Sequence, residues 1–261
     1  MSYMGPQQII QNVNAIMSIL GTTKASFWPF WEKTGQLVSG IGLGDLIPSE
    51  TAGAAEDLDH DFAPLAHPGQ MYSYHFHPTG DHHLAGIDSA AYTFGDSNTD
   101  SAFSCGCWIL PNDVASVTIM GKYDATGTAR EWRLFIDANS KLSFELYDES
   151  ADKTEIGVTT SSITLGQWYF AVMTYDGTET APVVTFYLNG TADGDTTTVE
   201  VAGYIAMEDT ATPLTIGCDG VTATPTNEFH GRIALPFVTG KELTAANVTE
   251  LFEITSKMMG W

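Results

Sequence analysis

Six of the seven histidines fall in one window, HDFAPLAHPGQMYSYHFHPTGDHH. His75 and His77 stand two apart in a strand-like run and so share a face, while His82 and His83 follow a turn at Gly80-Asp81. Two imidazoles on one face with a third nearby form a donor set for Zn²⁺ or Ni²⁺. The plainer expectation, preferred here, is a row of hydrogen-bonded histidines on an edge strand. Carboxylates offer a second chemistry, since glycoside hydrolysis needs two of them flanking one bond. The nearest pair is Glu145 and Asp148 in FELYDESAD. Their spacing of three sends them to opposite faces of a strand, and Asp148 and Glu149 read better as turn residues. No Glu-x-Asp-x-Glu, no Gly-x-Ser-x-Gly elbow and no phosphate-binding glycine loop occurs. The chain is therefore expected not to be an enzyme. Cys105, Cys107 and Cys218 are an odd number. They read as buried small hydrophobes, a usage that fits a reducing compartment.

The elements that must carry these residues are mostly strands. From Ala25 onward the pieces QMYSYHFHP, HHLAGI, SAFSCGCWILP, SVTIMGKY, EWRLFIDA, KLSFELYD, QWYFAVMTYD, VVTFYLNG, PLTIGC and GRIALPFVTG are short and rich in aromatic and β-branched residues. Each is bounded by Gly, Asp, Asn or Pro. So many strands without intervening helices predict an all-β antiparallel sandwich or barrel. Residues 1–24 differ. Ile9, Ile10, Val13, Ile16, Met17 and Leu20 make one uncharged helical stripe, with Pro6 suited to the first turn and Gly21 to the stop. This segment is expected to be an oligomerisation or docking arm on a single domain of residues 25–261. The piece LTAANVTELFEITSKM predicts a short C-terminal helix with Thr244 as its N-cap.

Composition narrows the partners. Ten Lys and Arg against 32 Asp and Glu give a formal charge of −22, which repels phosphate backbones and anionic leaflets. Neither nucleic acid nor membrane is an expected partner. No apolar run approaches the roughly 20 residues of a membrane span. The opening MSYMGPQQ has neither the basic region nor the apolar core of a secretory signal.

The stretch LGQWYFAVMTYDGTETAPVVTFYLNGT ties these observations together. Gly166, Trp168, Tyr175, Asp176, Gly177, Tyr187, Asn189 and Gly190 resemble a central hairpin of the laminin G-like, concanavalin A-type jelly rolls. DSAFSCGCWILP, EWRLFIDANSKLSFEL and the closing LTIGC…EFHGRIALPFVTG agree with that family in order, over roughly residues 25–255. Trp168 is expected to fill the space between sheets, and the Asp-Gly and Asn-Gly pairs to allow tight reversals. The resemblance implies an antiparallel jelly-roll β-sandwich with the N-terminal helical arm and the C-terminal helix appended. It also implies a calcium site, because such domains hold Ca²⁺ with loop oxygens at one sandwich edge; Asp124, Asp219 and Glu228 are the matching positions. Function follows by the same analogy. The first expectation is a virion structural protein of the capsid- or tail-decoration kind, self-associating through its arm, with other virion proteins and host-surface glycans as partners. The alternative is a carbohydrate-binding module of a cell-surface or secreted protein, with Trp132, Trp261 and Tyr204 as its candidate platform.

Overall fold

A computed structural model describes residues 6–30, 40–49, 59–62, 72–77, 82–113, 116–126, 128–179, 183–195, 199–200, 203–221 and 225–260. In chain order the elements are α1 (Pro6–Leu20), β1 (Ser26–Phe27), β2 (Ile41–Gly42), β3 (Ile47–Ser49), β4 (Asp59–Phe62), β5 (Tyr72–Phe76), β6 (His83–Ala85), β7 (Phe103–Pro111) and β8 (Val117–Asp124). There follow β9 (Ala129–Ile136), β10 (Lys141–Asp148), β11 (Lys153–Ser162), β12 (Tyr169–Tyr175), β13 (Val184–Leu188), β14 (Thr191–Asp195), β15 (Val199–Glu200), β16 (Thr215–Ile216), β17 (Gly231–Thr239) and α2 (Ala245–Met259). The first sheet runs β14-β13-β12-β7-β17-β1-β2, with β5 also on β17 and β4 on β5. The second runs β15-β11-β10-β9-β8-β16-β6-β3. Every described pairing is antiparallel, giving the two-sheet sandwich that the strand pattern predicts.

Strand alternation explains the core. In β7, Phe103, Cys105, Cys107 and Ile109 point between the sheets and meet Trp132, Leu134, Phe144 and Leu146 from the second sheet. All three thiols are buried outside any disulfide, Cys218 Sγ donates to the Gly220 carbonyl, and burial pushes the thiols of Cys105 and Cys107 up. A one-residue slip would turn this face out, so the apolar rows fix the register. The first sheet, however, is apolar on its outer face too. Trp108, Phe170, Val172 and Phe237 face outward there and form a second layer with α1 and α2. Trp168 belongs to this outer layer rather than to the space between the sheets, a correction to the sequence expectation.

The arm is the larger correction. Val13, Ile16 and Leu20 are buried in the chain's own second layer, Ile9 and Met17 pack half-buried against it, and Ile10 alone of the six is 57% exposed. The end of α1 is held by the sandwich as well. Thr239 Oγ1 donates to the Leu20 carbonyl at 2.6 Å and Lys241 Nζ to the Ile19 carbonyl at 3.2 Å, satisfying acceptors that a helix end leaves over. The physical reason is that a sheet with two apolar faces is incomplete without a cover. α2 supplies the rest of it. Thr244 and Asn247 form its capping box, Gly260 ends it in the left-handed conformation, and Thr255 Oγ1 accepts from Trp108 Nε1 at 2.9 Å.

The paired turn residues serve the fold as expected. Asn189 and Gly190 both take positive φ between β13 and β14, and the Asn189 side chain accepts from the Phe170 amide at 2.9 Å. A Cβ on Gly190 would meet the Phe252 ring at 2.9 Å, so close approach of α2 also requires glycine.

Candidate functional site

With helices over the first sheet, the chain's organised polar array lies on the outer face of the second. Alternation in β9 turns Trp132, Leu134 and Ile136 inward and leaves Arg133 and Phe135 outward. In β10, Glu145 and Tyr147 take the same side, and the register sets Glu145 directly opposite Arg133. Arg130 joins them although it stands three residues from Arg133. Lys122 pairs with Trp132 but Tyr123 pairs with Arg130, so Glu131 is an extra residue, a β-bulge that resets the alternation.

Two guanidinium centres result. Arg133 Nε donates to Glu145 Oε2 at 2.6 Å and Nη1 to Asp219 Oδ2 at 2.7 Å; its plane lies over the rings of Tyr123 (4.2 Å) and Phe135 (4.5 Å). Arg130 grips Glu149 with Nε at 2.8 Å and Nη2 at 2.7 Å, reaches Asp152 at 3.3 Å, and covers the Tyr147 ring at 3.7 Å. Tyr147 in turn donates its hydroxyl to Asp152. The Tyr123 and Tyr147 rings meet edge-on at 6.1 Å. Hydrogen bonds from Arg130 hold the Glu149 carboxyl below its ordinary value, and the Tyr147 hydroxyl does the same for Asp152. Each guanidinium keeps one edge: among the described residues no acceptor takes Nη2 of Arg133 or Nη1 of Arg130. The face thus presents two guanidiniums, each with one edge unsaturated in hydrogen bonds, over the buried rings of Tyr123, Phe135 and Tyr147.

The residues singled out from sequence are placed as follows. Asp219 is buried and accepts from Thr118 Oγ1 at 2.6 Å, Asn227 Nδ2 at 2.7 Å and Arg133 Nη1 at 2.7 Å, so it serves as an internal counter-ion. Burial nevertheless raises its carboxyl above the ordinary range, against the pull of Arg133. Asp124 closes its own turn, accepting from the Thr126 amide at 2.9 Å and hydroxyl at 2.8 Å. Glu228 is half-buried on the loop before β17. Among the described residues no group of three His, Cys, Asp or Glu side chains is placed to hold a metal. The His75 and His77 rings lie 3.9 Å apart, His77 and His82 meet edge-on at 5.5 Å, and the His77 amide donates to His82 Nδ1 at 3.2 Å. Trp132 is fully buried with Nε1 on the Tyr92 carbonyl, which removes it from any platform. Tyr204 is half-buried and donates to Asp100, and Trp261 and His67 lie outside the described residues. Glu145 and Asp148 have separate tasks, the first on Arg133 and the second accepting from the Ile205 amide at 2.9 Å.

A sequence reading misses Arg130 and Arg133 because period-two alternation separates them. The available signal was their scarcity: two of only ten cations, standing two residues before and one after Trp132.

Comparison with known proteins follows this geometry. A family model described as the Concanavalin A-like lectin/glucanases superfamily, of laminin G type, matches residues 85–249. No curated protein sequence matches the chain. Among solved structures, the botulinum neurotoxin serotype G binding domain aligns with a TM-score of 0.58 at 14% identity, over 90% of this chain and 51% of that one. The binding domain of botulinum neurotoxin DC in complex with SialylT aligns with a TM-score of 0.55 at 16% identity, over 90% and 52%. Domain 4 of a GH43 extracellular arabinanase from Geobacillus stearothermophilus, solved with arabinotriose, aligns with a TM-score of 0.53 at 13% identity, over 87% and 96%. The chain spans about half the length of the neurotoxin domains and nearly all of the arabinanase domain. At such identities the likeness establishes the fold.

Proposed function

The chain belongs to the Concanavalin A-like lectin/glucanases superfamily, and from that premise we propose that it is a non-catalytic glycan-binding module working through the outer face of its second sheet. The observation that carries this reading is the pair of guanidinium centres fixed against Tyr123, Phe135 and Tyr147. Sugar recognition needs planar polar groups held still, because a hydroxyl donates and accepts at once; the three rings, themselves buried, hold the guanidiniums in place. Arg130 and Arg133 offer free donor edges, and Asp152, 78% exposed, offers an acceptor at the rim. The ligand class is a neutral oligosaccharide. Two cations on this face answer four carboxylates, Glu145, Glu149, Asp152 and Asp219, within a chain of charge −22. An acidic sugar would meet a repulsive field.

Catalysis does not suit the same groups. Glu145 is committed to Arg133, and Asp148 accepts from a loop amide, so no two carboxylates of β10 flank a common space. The virion expectation rested mainly on likeness of fold, with the apolar arm beside it; α1 packs on its own sheet, and a lectin role needs no free arm. No described helix is long and apolar enough to cross a membrane. Calorimetric titration with arabinotriose and with 3′-sialyllactose tests the reading. Binding of the neutral sugar, weakened at least about tenfold by Asp152→Ala and by Arg130→Met, is expected. Binding unchanged in both variants would move the site elsewhere, and no binding of any neutral oligosaccharide on an array would overturn the function.

A further inference from the structure

Residues 203–214 lead from the region of β15 to β16 without pairing in either sheet, so their backbone amides need other acceptors. Three carboxylates supply them. Ile205 N donates to Asp148 Oδ2, Met207 N to Asp100 Oδ1 and Thr210 N to Glu131 Oε1, each at 2.9 Å. The acceptors come from the end of β10, the loop before β7 and the bulge of β9, so this segment lies strapped across one end of the sandwich. All three are buried, with Glu131 at 0% exposure and Asp100 at 9%.

The hydrogen bonds on two of these groups are lopsided. Glu131 Oε1 receives the Thr210 amide, the Thr210 hydroxyl at 2.9 Å and Lys122 Nζ at 3.1 Å, while Oε2 is buried and has no partner. A buried anionic oxygen with no protein donor is costly, and a proton on Oε2 removes the charge without touching any bond on Oε1. Asp100 Oδ2 receives two phenols, Tyr204 at 2.6 Å and Tyr175 at 2.8 Å, and no cation. Tyr175 Oη also lies 3.0 Å from the Thr178 carbonyl. A proton on Oδ2 can therefore be donated as a hydrogen bond to Tyr175 Oη while Tyr175 turns its own hydroxyl hydrogen to the Thr178 carbonyl, and the Met207 amide keeps Oδ1.

We propose that residues 203–210 are a proton-fastened strap, closed over the end of the sandwich while Asp100 and Glu131 each hold a proton and loosened when both are ionised. Charged neighbours bear on each group. Around Glu131 stand Lys122, Asp88 on the far side of Lys122 at 2.9 Å, Lys24, and Asp209, which accepts from Thr93 at 3.1 Å. Around Asp100 stand Tyr175, Tyr204 and Glu179, whose carboxylate takes the Asp100 amide. Glu208 ties the strap to the Ser150 amide at 3.1 Å. Burial pushes Asp100 up to about 6 against its three hydrogen bonds, and Glu131 up to about 7 against the attraction of Lys122. Opening lets water reach both carboxylates, so ionisation favours the open form.

Hydrogen exchange on the whole chain tests this, with each rate divided by the intrinsic rate at that pH. Protection of the Ile205, Met207 and Thr210 amides is expected to fall at least about tenfold from pH 5.5 to 8.5. The Val172 amide of central strand β12 should change less. Asp100→Asn combined with Glu131→Gln mimics the protonated form and should hold protection at its acid value throughout. Should that double variant not fold, the carboxyl carbon resonances of Asp100 and Glu131 in the unaltered chain decide: titration midpoints above 5 are expected. Protection flat with pH, or midpoints in the ordinary carboxylate range, would overturn the proposal.

Discussion

Replacing Ile16 with Ala removes three methyl or methylene carbons from a side chain with no exposed surface, in the layer that also holds Phe27, Trp108, Phe237 and Met258. Loss of transfer energy and the cavity left behind together predict about 2–5 kcal/mol of destabilisation. Ile10→Ala is the internal control. It lies on the same helix but is 57% exposed, so its cost should stay within about 0.5 kcal/mol. Urea unfolding followed by tryptophan fluorescence reads both. For an m-value near 3 kcal/mol/M, the Ile16→Ala midpoint should fall by about 1 M and the Ile10→Ala midpoint by less than about 0.2 M. Sedimentation should show the same particle for all three proteins. If Ile16→Ala unfolds with the unaltered midpoint while a multimer dissociates, the stripe docks on another subunit and the packing described for α1 is wrong. The double change Ile10→Asp with Met17→Asp probes the same point less cleanly, since Met17 is half-buried in the same layer.

Global stability should depend on pH in the sense set by Asp100 and Glu131. Both carboxyls sit above their unfolded values, so their stabilising contribution is complete below those unfolded values and is lost as pH rises through about 6 and about 7. The melting temperature is expected to fall from pH 5.5 to 8 by several degrees, reflecting about 2–3 kcal/mol, and a rise over that window would contradict the assignment. Calcium is the remaining test. A shared ion at Asp124 and Asp219 would add about 2.7 kcal/mol at a hundredfold excess over Kd and lift the melt by about 5–10 °C. Because Asp219 is committed to Arg133, Thr118 and Asn227, calorimetry with Ca²⁺ and with chelator is expected to agree within about 2 °C; a larger rise that Asp124→Ala abolishes would restore the ion.

Local chemistry made much of the fold legible in the sequence. Alternation in FSCGCWILP and KLSFELYD specifies strands, and Asn189-Gly190 specifies a reversal, because strand period and positive φ are properties of a few neighbouring residues. The strand β11, KTEIGVTTSS, escaped notice because its Thr and Ser residues present no apolar row. Both helices were readable as helices from their stripes, and α2 even in its Thr244 cap. Where α1 docks was not readable. An apolar stripe states only that a partner surface exists, and the partner here is the outward row of Trp108, Phe170 and Phe237, which becomes a surface only once β7, β12 and β17 are side by side. The candidate site has the same character. Arg130 and Arg133 share a face through one bulged residue, and Asp219 reaches Arg133 from 86 positions away. Asp100, Glu131 and Asp148 converge on one unpaired segment from three separate elements. Sequence alone determines which residues can be buried, turned or charged. Which charges meet, and which carboxylate is left to hold a proton, is decided by long-range pairing, since burial and Coulomb energy depend on distances that no local pattern encodes.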